Sequence, residues 1–262
     1  MEKDTDLNEK HDFFSAKRHG SVIKLRFKGN LLLRATDLSA RDEVLDYFDR
    51  ISKNNSIRAV VIFSSTEKTG REEYMEFYHQ FSNLDWDQSA IGRFLNIVDQ
   101  LILTIVDLNK IVIHAYSGRV LPLFLNVGLA CDYRIVADNM VFQNPSLELG
   151  MVPIGGGAFF LPKMLGYSKA YEILLSGKDI TAHEAISLGI IDRIAPLDKL
   201  EETALETARR FSQKPVSSLS VIKRLLNYSR KDLEDYLRLE NKELLRVFLS
   251  SDFRDKIRET HA

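Results

Sequence analysis

The chain has 262 residues, 45% of them hydrophobic and 28% charged, with 13 Gly, 6 Pro and one Cys. That is the composition of a globular protein large enough to bury a sizeable core without a disulfide or metal, and it excludes disordered, collagenous and low-complexity classes. Thirty-six basic residues stand against 37 acidic ones, and the net charge of -1 offers no bulk attraction to nucleic acid or to an anionic membrane.

Residues 22–28, VIKLRFK, alternate Ile23, Leu25 and Phe27 with Lys24, Arg26 and Lys28, the period of a half-buried strand. Ser39 opens a helix, capping its first turn with Asp42 three residues on, and Val44, Leu45, Tyr47, Phe48 and Ile51 follow at helical spacing. The run AVVIF at 59–63 is continuous and rich in β-branched residues, as in a strand covered on both faces. After a polar loop at 64–73, the spacing from Met75 to Leu108 is mostly helical, and IVIHAY at 111–116 is a second buried strand. Gly118 ends that strand, and Pro122 suits the first turn of a helix reaching about Cys131.

Strand-like segments at 133–136 and 140–143 lead into a loop rich in Pro and Gly, from Pro145 through Gly157, beyond which the chain becomes helical. Thr181 and Glu184 form a capping box, IIDRIAP at 190–196 reads as a short strand, and 198–212 is amphipathic. Pro215 breaks the pattern, and 216–262 is helix-like with an apolar stripe that includes Leu233, Leu237, Leu244 and Phe248. There is no tandem repeat and no linker rich enough to separate independent domains.

Cys131 has no partner for an intrachain disulfide, which points to a reducing, cytoplasmic location. The opening MEKDTDLNEKHDFF lacks the apolar run of a signal peptide, and Asp99, Asp107 or Asp132 interrupts each rich apolar stretch before the roughly 18 residues of a membrane span. A soluble protein acting on neither membrane nor nucleic acid is expected. The six histidines lack HExxH spacing and no cysteine pair joins them, so no metal is expected. The chain has no GxxxxGK[ST] loop and no GxSxG elbow, and Gly155–Gly157 lack GxGxxG spacing. The remaining chemical feature is uncharged: two buried strands run into helix starts, at 63–75 and 116–123. Unpaired amides at a helix start can bind an oxyanion, although ordinary strand-to-helix turns give the same pattern.

From about His114 to Pro196 the residues carry a more specific signal. GLACD at 128–132 with RIVAD after it, FQNPSLELGMVPIGGG at 142–157, and LPKMLGYSKAYEILLSGKDITAHEAISLGIIDRI at 161–194 together resemble, in order and nearly without gaps, the enoyl-CoA hydratase and isomerase family, also called the crotonase superfamily. The resemblance extends more loosely over about residues 20–255. It implies an α/β fold, a crotonase-like spiral of ββα units with a helical C-terminal region. The implied core domain is 15–197, and 198–262 is the implied trimerisation region of a homotrimer or dimer of trimers.

The resemblance also implies an acyl-CoA thioester as substrate, with coenzyme A arriving as part of it and no tightly bound cofactor. Family members polarise the thioester carbonyl with two backbone amides. The first falls here in SSTEKTGREEY, placing the donor at Gly70, Arg71 or nearby, and the second falls at Leu123, where Pro122, Leu123 and Phe124 replace the family's glycine triplet and Gly118 holds its first glycine. The two glutamates of a hydratase are replaced by Asn126 and Ser146, neither of them an ordinary general base. Glu148, two residues beyond Ser146, reaches the same side if that segment is extended. Lys24, Arg26, Lys68 and Arg71 lie in or near segments that line the family's CoA groove, with Pro145 beside the second glutamate position. His114 and Asp132 are read as packing residues, and Cys131 as a small buried one. Three functions follow: an enolate-stabilising acyl-CoA enzyme without the usual glutamates, a non-catalytic acyl-CoA-binding or partner-supporting homologue, or a hydratase using Glu148.

Overall fold

The computed structural model describes residues 7–29, 32, 37–64, 70–83 and 88–259. It opens with strands Glu9–Lys10 (β1), Phe14–His19 (β2) and Val22–Phe27 (β3), and β2 pairs with β3 in an antiparallel hairpin turning at Gly20. The β2 strand is an addition to the elements expected from sequence. Its inward residues, Phe14 and Ala16, are masked in the pattern by the exposed or half-exposed Lys17, Arg18 and His19.

Helix α1 spans Leu38–Lys53, and its cap differs from expectation. Asp37 caps it, accepting from Ser39 N at 2.9 Å and Ala40 N at 3.4 Å. A carboxylate answers the positive helix start better than the Ser39 hydroxyl, which itself donates to Asp37. The buried strand β4, Ala59–Phe63, follows. The stretch from Met75 to Leu108, of mostly helical spacing, is helical over Arg71–Asn83 (α2) and Gln88–Asp107 (α3), with 84–87 outside the described residues.

Next come Ile111–Tyr116 (β5), Arg119–Val120 (β6), Pro122–Ala130 (α4), Tyr133–Ala137 (β7) and Val141–Phe142 (β8). After a 3-10 turn at Leu147–Leu149 come Gly157–Leu165 (α5), Tyr167–Ser176 (α6), Ile180–Thr181 (β9), Ala182–Leu188 (α7), Arg193–Ala195 (β10) and a second 3-10 turn at Leu197–Lys199. The capping box is formed as expected, with both Thr181 and Glu184 bonds present. Helices Leu200–Ser212 (α8), Val216–Leu226 (α9), Arg230–Phe248 (α10) and Ser251–Glu259 (α11) complete the chain.

Seven strands form the main sheet in the order β1-β2-β3-β4-β5-β7-β10, antiparallel through β3 and parallel beyond it; β6, β8 and β9 make a small second sheet. Helix α8 covers one face of the main sheet, laying Leu200, Ala204, Leu205 and Ala208 on Val22, Val61, Ile113 and Ile135. The other face carries the larger core with α1, α3, α4 and α10. By length and composition α3 is apolar enough to cross a membrane, despite Asp99 and Asp107. Here it is a core helix: Phe94, Val98 and Ile102 are buried, and Asp99 faces α10, accepting from Asn241 Nδ2 at 2.7 Å.

Candidate active site

On the larger-core face lies a cleft whose open space, mouth included, is about 680 Å³. The hairpin contributes Phe13 and Phe27; α1 contributes Arg41, Val44 and Leu45; α3 contributes Ile97, Val98 and Leu101; α4 contributes Leu123, Phe124 and Val127. Ser64, just past β4, and His114 of β5 complete the lining. Its walls are apolar apart from Arg41, Ser64 and His114, so an acyl chain is better matched to it than a polar metabolite.

Helix α4 begins at this cleft. Leu121 caps it with extended backbone and no side-chain bond, and Pro122 occupies the first turn without an N-H. The amides of Leu123 and Phe124 therefore lie in the first turn, where a helix supplies no partner, beside side chains that line the cleft.

Ser64 Oγ and His114 Nε2 lie 3.0 Å apart. The imidazole is 1% exposed, and burial pulls its pKa down to about 3, with the Arg134 charge acting in the same direction. Among the described residues its Nδ1 has no hydrogen-bond partner. Gly128 of α4 makes room for the ring, since a Cβ there would come within 2.7 Å of Nδ1.

Asn126 and Ser146, which the sequence resemblance sets at the family's glutamate positions, are buried and tied to the protein itself. Asn126 Nδ2 donates to Ile154 O at 2.8 Å, and Gly157 packs so closely that a Cβ would lie 2.9 Å from the amide. Ser146 Oγ lies 3.1 Å from Tyr74 Oη, and Tyr78 Oη donates to Tyr74 Oη at 3.4 Å; burial raises the pKa of both phenols. Neither Asn126 nor Ser146 is among the residues lining the cleft.

The extended geometry expected around Glu148 is corrected. Ser146 is αR and Leu147–Leu149 make a 3-10 turn that ends at Gly150 with φ 68°. Residues two apart therefore do not share a face: Ser146 is buried, whereas Glu148 is exposed and pairs with Arg71 at 2.6 Å. The Arg71 amide donates to Gln143 Oε1 at 3.1 Å, and Gly70, at φ 101°, is packed against Gln143 and Arg119. Gly118 turns the chain between β5 and β6 at φ 67°, its N-H donating to Asn139 Oδ1, and Pro145 is buried next to Ser146. Lys24 and Arg26 point to the sheet face under α8, away from the cleft, and both pair with Glu201, at 2.6 and 2.9 Å. Lys68 lies outside the described residues.

Asp132 and Cys131 act as read from sequence. Asp132 Oδ2 accepts from Val112 N and from Lys223 Nζ, and the Cys131 thiol, pushed up to about 12 by burial, donates to Val127 O. Among the described residues no three His, Cys, Asp or Glu side chains gather as a metal site.

Sequence reasoning missed Glu240. Its carboxylate accepts from Gly155 N at 2.9 Å, from Gly156 N at 3.1 Å and from Tyr236 Oη at 3.0 Å, and burial pushes its pKa up to about 7. The available signal was an acid set into the apolar stripe of Leu233, Leu237, Leu244 and Phe248.

The sequence model of the enoyl-CoA hydratase/isomerase family matches residues 17–259. The chain belongs to that family. Among its relatives, a probable enoyl-CoA hydratase, EchA17, from Mycobacterium bovis is 28% identical over 181 residues, covering 69% of this chain and 67% of the relative. A carnitinyl-CoA dehydratase from Salmonella arizonae is 26% identical over 228 residues, covering 81% and 79%. The crystal structure of an enoyl-CoA hydratase from Bacillus halodurans superposes with a TM-score of 0.83 at 21% identity, over 95% of this chain and 100% of that one. That of Pseudomonas aeruginosa DspI does so with a TM-score of 0.73 at 18% identity, over 94% and 99%. The fold of this family member is accordingly crotonase-like, with the parallel-rich sheet and helical C-terminal region expected from the sequence.

Proposed function

We propose that this family member acts on an acyl-CoA thioester, holding the carbonyl oxygen at main-chain amides as enolate character develops, with Asn126 and Ser146 in place of carboxylate bases. The observation that carries the reading is the start of α4: an uncapped first turn whose Leu123 and Phe124 open on an apolar cleft. Coenzyme A enters as part of the substrate, and Arg41 in the cleft lining is a cation suited to its phosphates. Glu148, ion-paired to Arg71, has no part in this reading. Exposed apolar side chains such as Tyr167, Tyr171, Leu225, Leu226 and Tyr228 support self-association, and the family resemblance supplies its form, a homotrimer or a dimer of trimers.

A specific observation favours a second reading, binding without turnover: Asn126, Ser146 and the Arg71 amide are all engaged by the protein itself. Calorimetry with CoA beside turnover assays on crotonyl-, malonyl- and octanoyl-CoA separates the two. Under the first reading one of the thioesters turns over, and Leu123→Pro, which deletes a single N-H, lowers kcat about 100-fold. CoA binding with no turnover leaves the second reading, and absence of CoA binding rejects both.

A further inference from the structure

One pair of groups on the cleft wall has no part in that chemistry. Ser64 and His114 both line the cleft, with Oγ and Nε2 3.0 Å apart. The placement is unfavourable for stability: an imidazole sits in a buried strand beside Tyr116, and its Nδ1 is buried without a partner among the described residues. Gly128 gives up any side chain to accommodate the ring. A histidine serving only as strand filling would be better replaced by an aliphatic residue, whereas this arrangement directs Nε2 at a hydroxyl on the surface of an acyl-sized space.

We propose that Ser64 is a nucleophile and His114 its general base, and that together they take an acyl group from a thioester whose chain lies in the apolar cleft. The choice of an acyl thioester rests on the acyl-CoA reading above; the pairing of the two residues rests on their geometry alone. With the proton on Nδ1, Nε2 takes the Ser64 proton as Oγ attacks the thioester carbonyl carbon. The carbon-sulfur bond then breaks, and the departing thiolate takes the proton from Nε2. Water attacks the resulting ester while Nε2 takes one of its protons and returns it to Ser64 Oγ. The net change is thioester plus water to carboxylic acid plus thiol. Burial keeps the ring neutral and its lone pair free, and by the same effect makes it a weaker base than an exposed imidazole, so attack by Ser64 is expected to be slow.

Among the described residues no acid orients Nδ1, so both half-reactions are slow. Acylation expels a thiolate, a better leaving group than the serine alkoxide that hydrolysis must expel, so the ester on Ser64 is expected to form faster than it is hydrolysed and to accumulate.

The test uses the full chain and the octanoyl thioester of N-acetylcysteamine, which offers the acyl chain without coenzyme A. Released thiol is followed, and the acid-quenched protein is mapped by peptide mass. The expected result is a burst of about one thiol per chain and an octanoyl ester on Ser64, absent in Ser64→Ala and about 100-fold slower in His114→Gln. Wild-type protein without an ester on Ser64, or an equal burst from Ser64→Ala, overturns the proposal; neither result depends on whether His114→Gln folds. Calorimetry with CoA reads the other assumption separately, since an ester on Ser64 without CoA binding keeps the pair and rejects the acyl-CoA reading.

Discussion

Tyr74 of α2 and Ser146 of the turn after β8 meet hydroxyl to hydroxyl at 3.1 Å, both buried. Losing the phenol leaves a buried serine without its partner, so Tyr74→Phe is expected to destabilise the fold by about 1 kcal/mol. Ser146→Ala added to Tyr74→Phe should cost less than it does alone, because the shared bond is already gone. Urea unfolding of the four proteins checks this, and simple additivity would show that the contact contributes nothing.

Lys223 is 5% exposed, and its ammonium donates to Ile105 O and Lys110 O at 3.1 Å and to Asp132 Oδ2 at 2.8 Å. Removing one partner of a buried pair strands the other, so Lys223→Met is expected to lower stability by about 3 kcal/mol. The measurement is the urea midpoint; a shift within experimental error would contradict the structural role.

Glu240 makes stability depend on pH in a particular direction. Its pKa is raised from 4.5 to about 7 in the folded chain, so its contribution is full below 4.5 and is lost as pH rises through about 7. His114, lowered from 6.5 to about 3, acts oppositely: stability falls as pH drops below 6.5, where the unfolded chain gains a proton that the folded chain refuses. The slopes oppose each other in one window, so only a difference isolates Glu240. Relative to wild type, Glu240→Gln should gain about 2 kcal/mol between about pH 5 and about pH 8. Denaturant unfolding at the two pH values reads the gain directly, and a difference that stays constant with pH would refute it.

Gly128→Ala sets helix propensity against packing. The methyl favours the helix by up to about 1 kcal/mol, but it would stand 2.7 Å from His114 Nδ1 and force the ring or the helix to move, at about 1–3 kcal/mol. Net destabilisation is expected. If the ring is displaced from Ser64, thiol release falls as well, and a combined thermal and thiol-release measurement registers both.

Much of the frame is legible because it is local. The alternation in VIKLRF, the continuous apolar run in AVVIF and the Thr181–Glu184 box each report within a few residues, and each element stands where its pattern places it. The turn at Leu147–Leu149 escapes such a reading because Pro145 and Gly150 bracket it without revealing which way the chain bends between them. Glu240 is illegible as a loop clamp because its partners lie 85 and 84 residues earlier, and no local period encodes such a contact. Ser64 and His114, 50 residues apart, become neighbours only through the parallel register of β4 and β5, which pairs Ile62 with His114.

The clamp from Glu240 to Gly155 and Gly156 has a consequence for biosynthesis. Two amides that border the buried interior gain their carboxylate partner from α10, near the end of the chain. A nascent chain still short of that helix holds the glycine segment without its anion. Completion of the fold around this loop therefore waits until α10 has been made, and a premature stop before α10 would leave the region unsealed however well the sheet had formed.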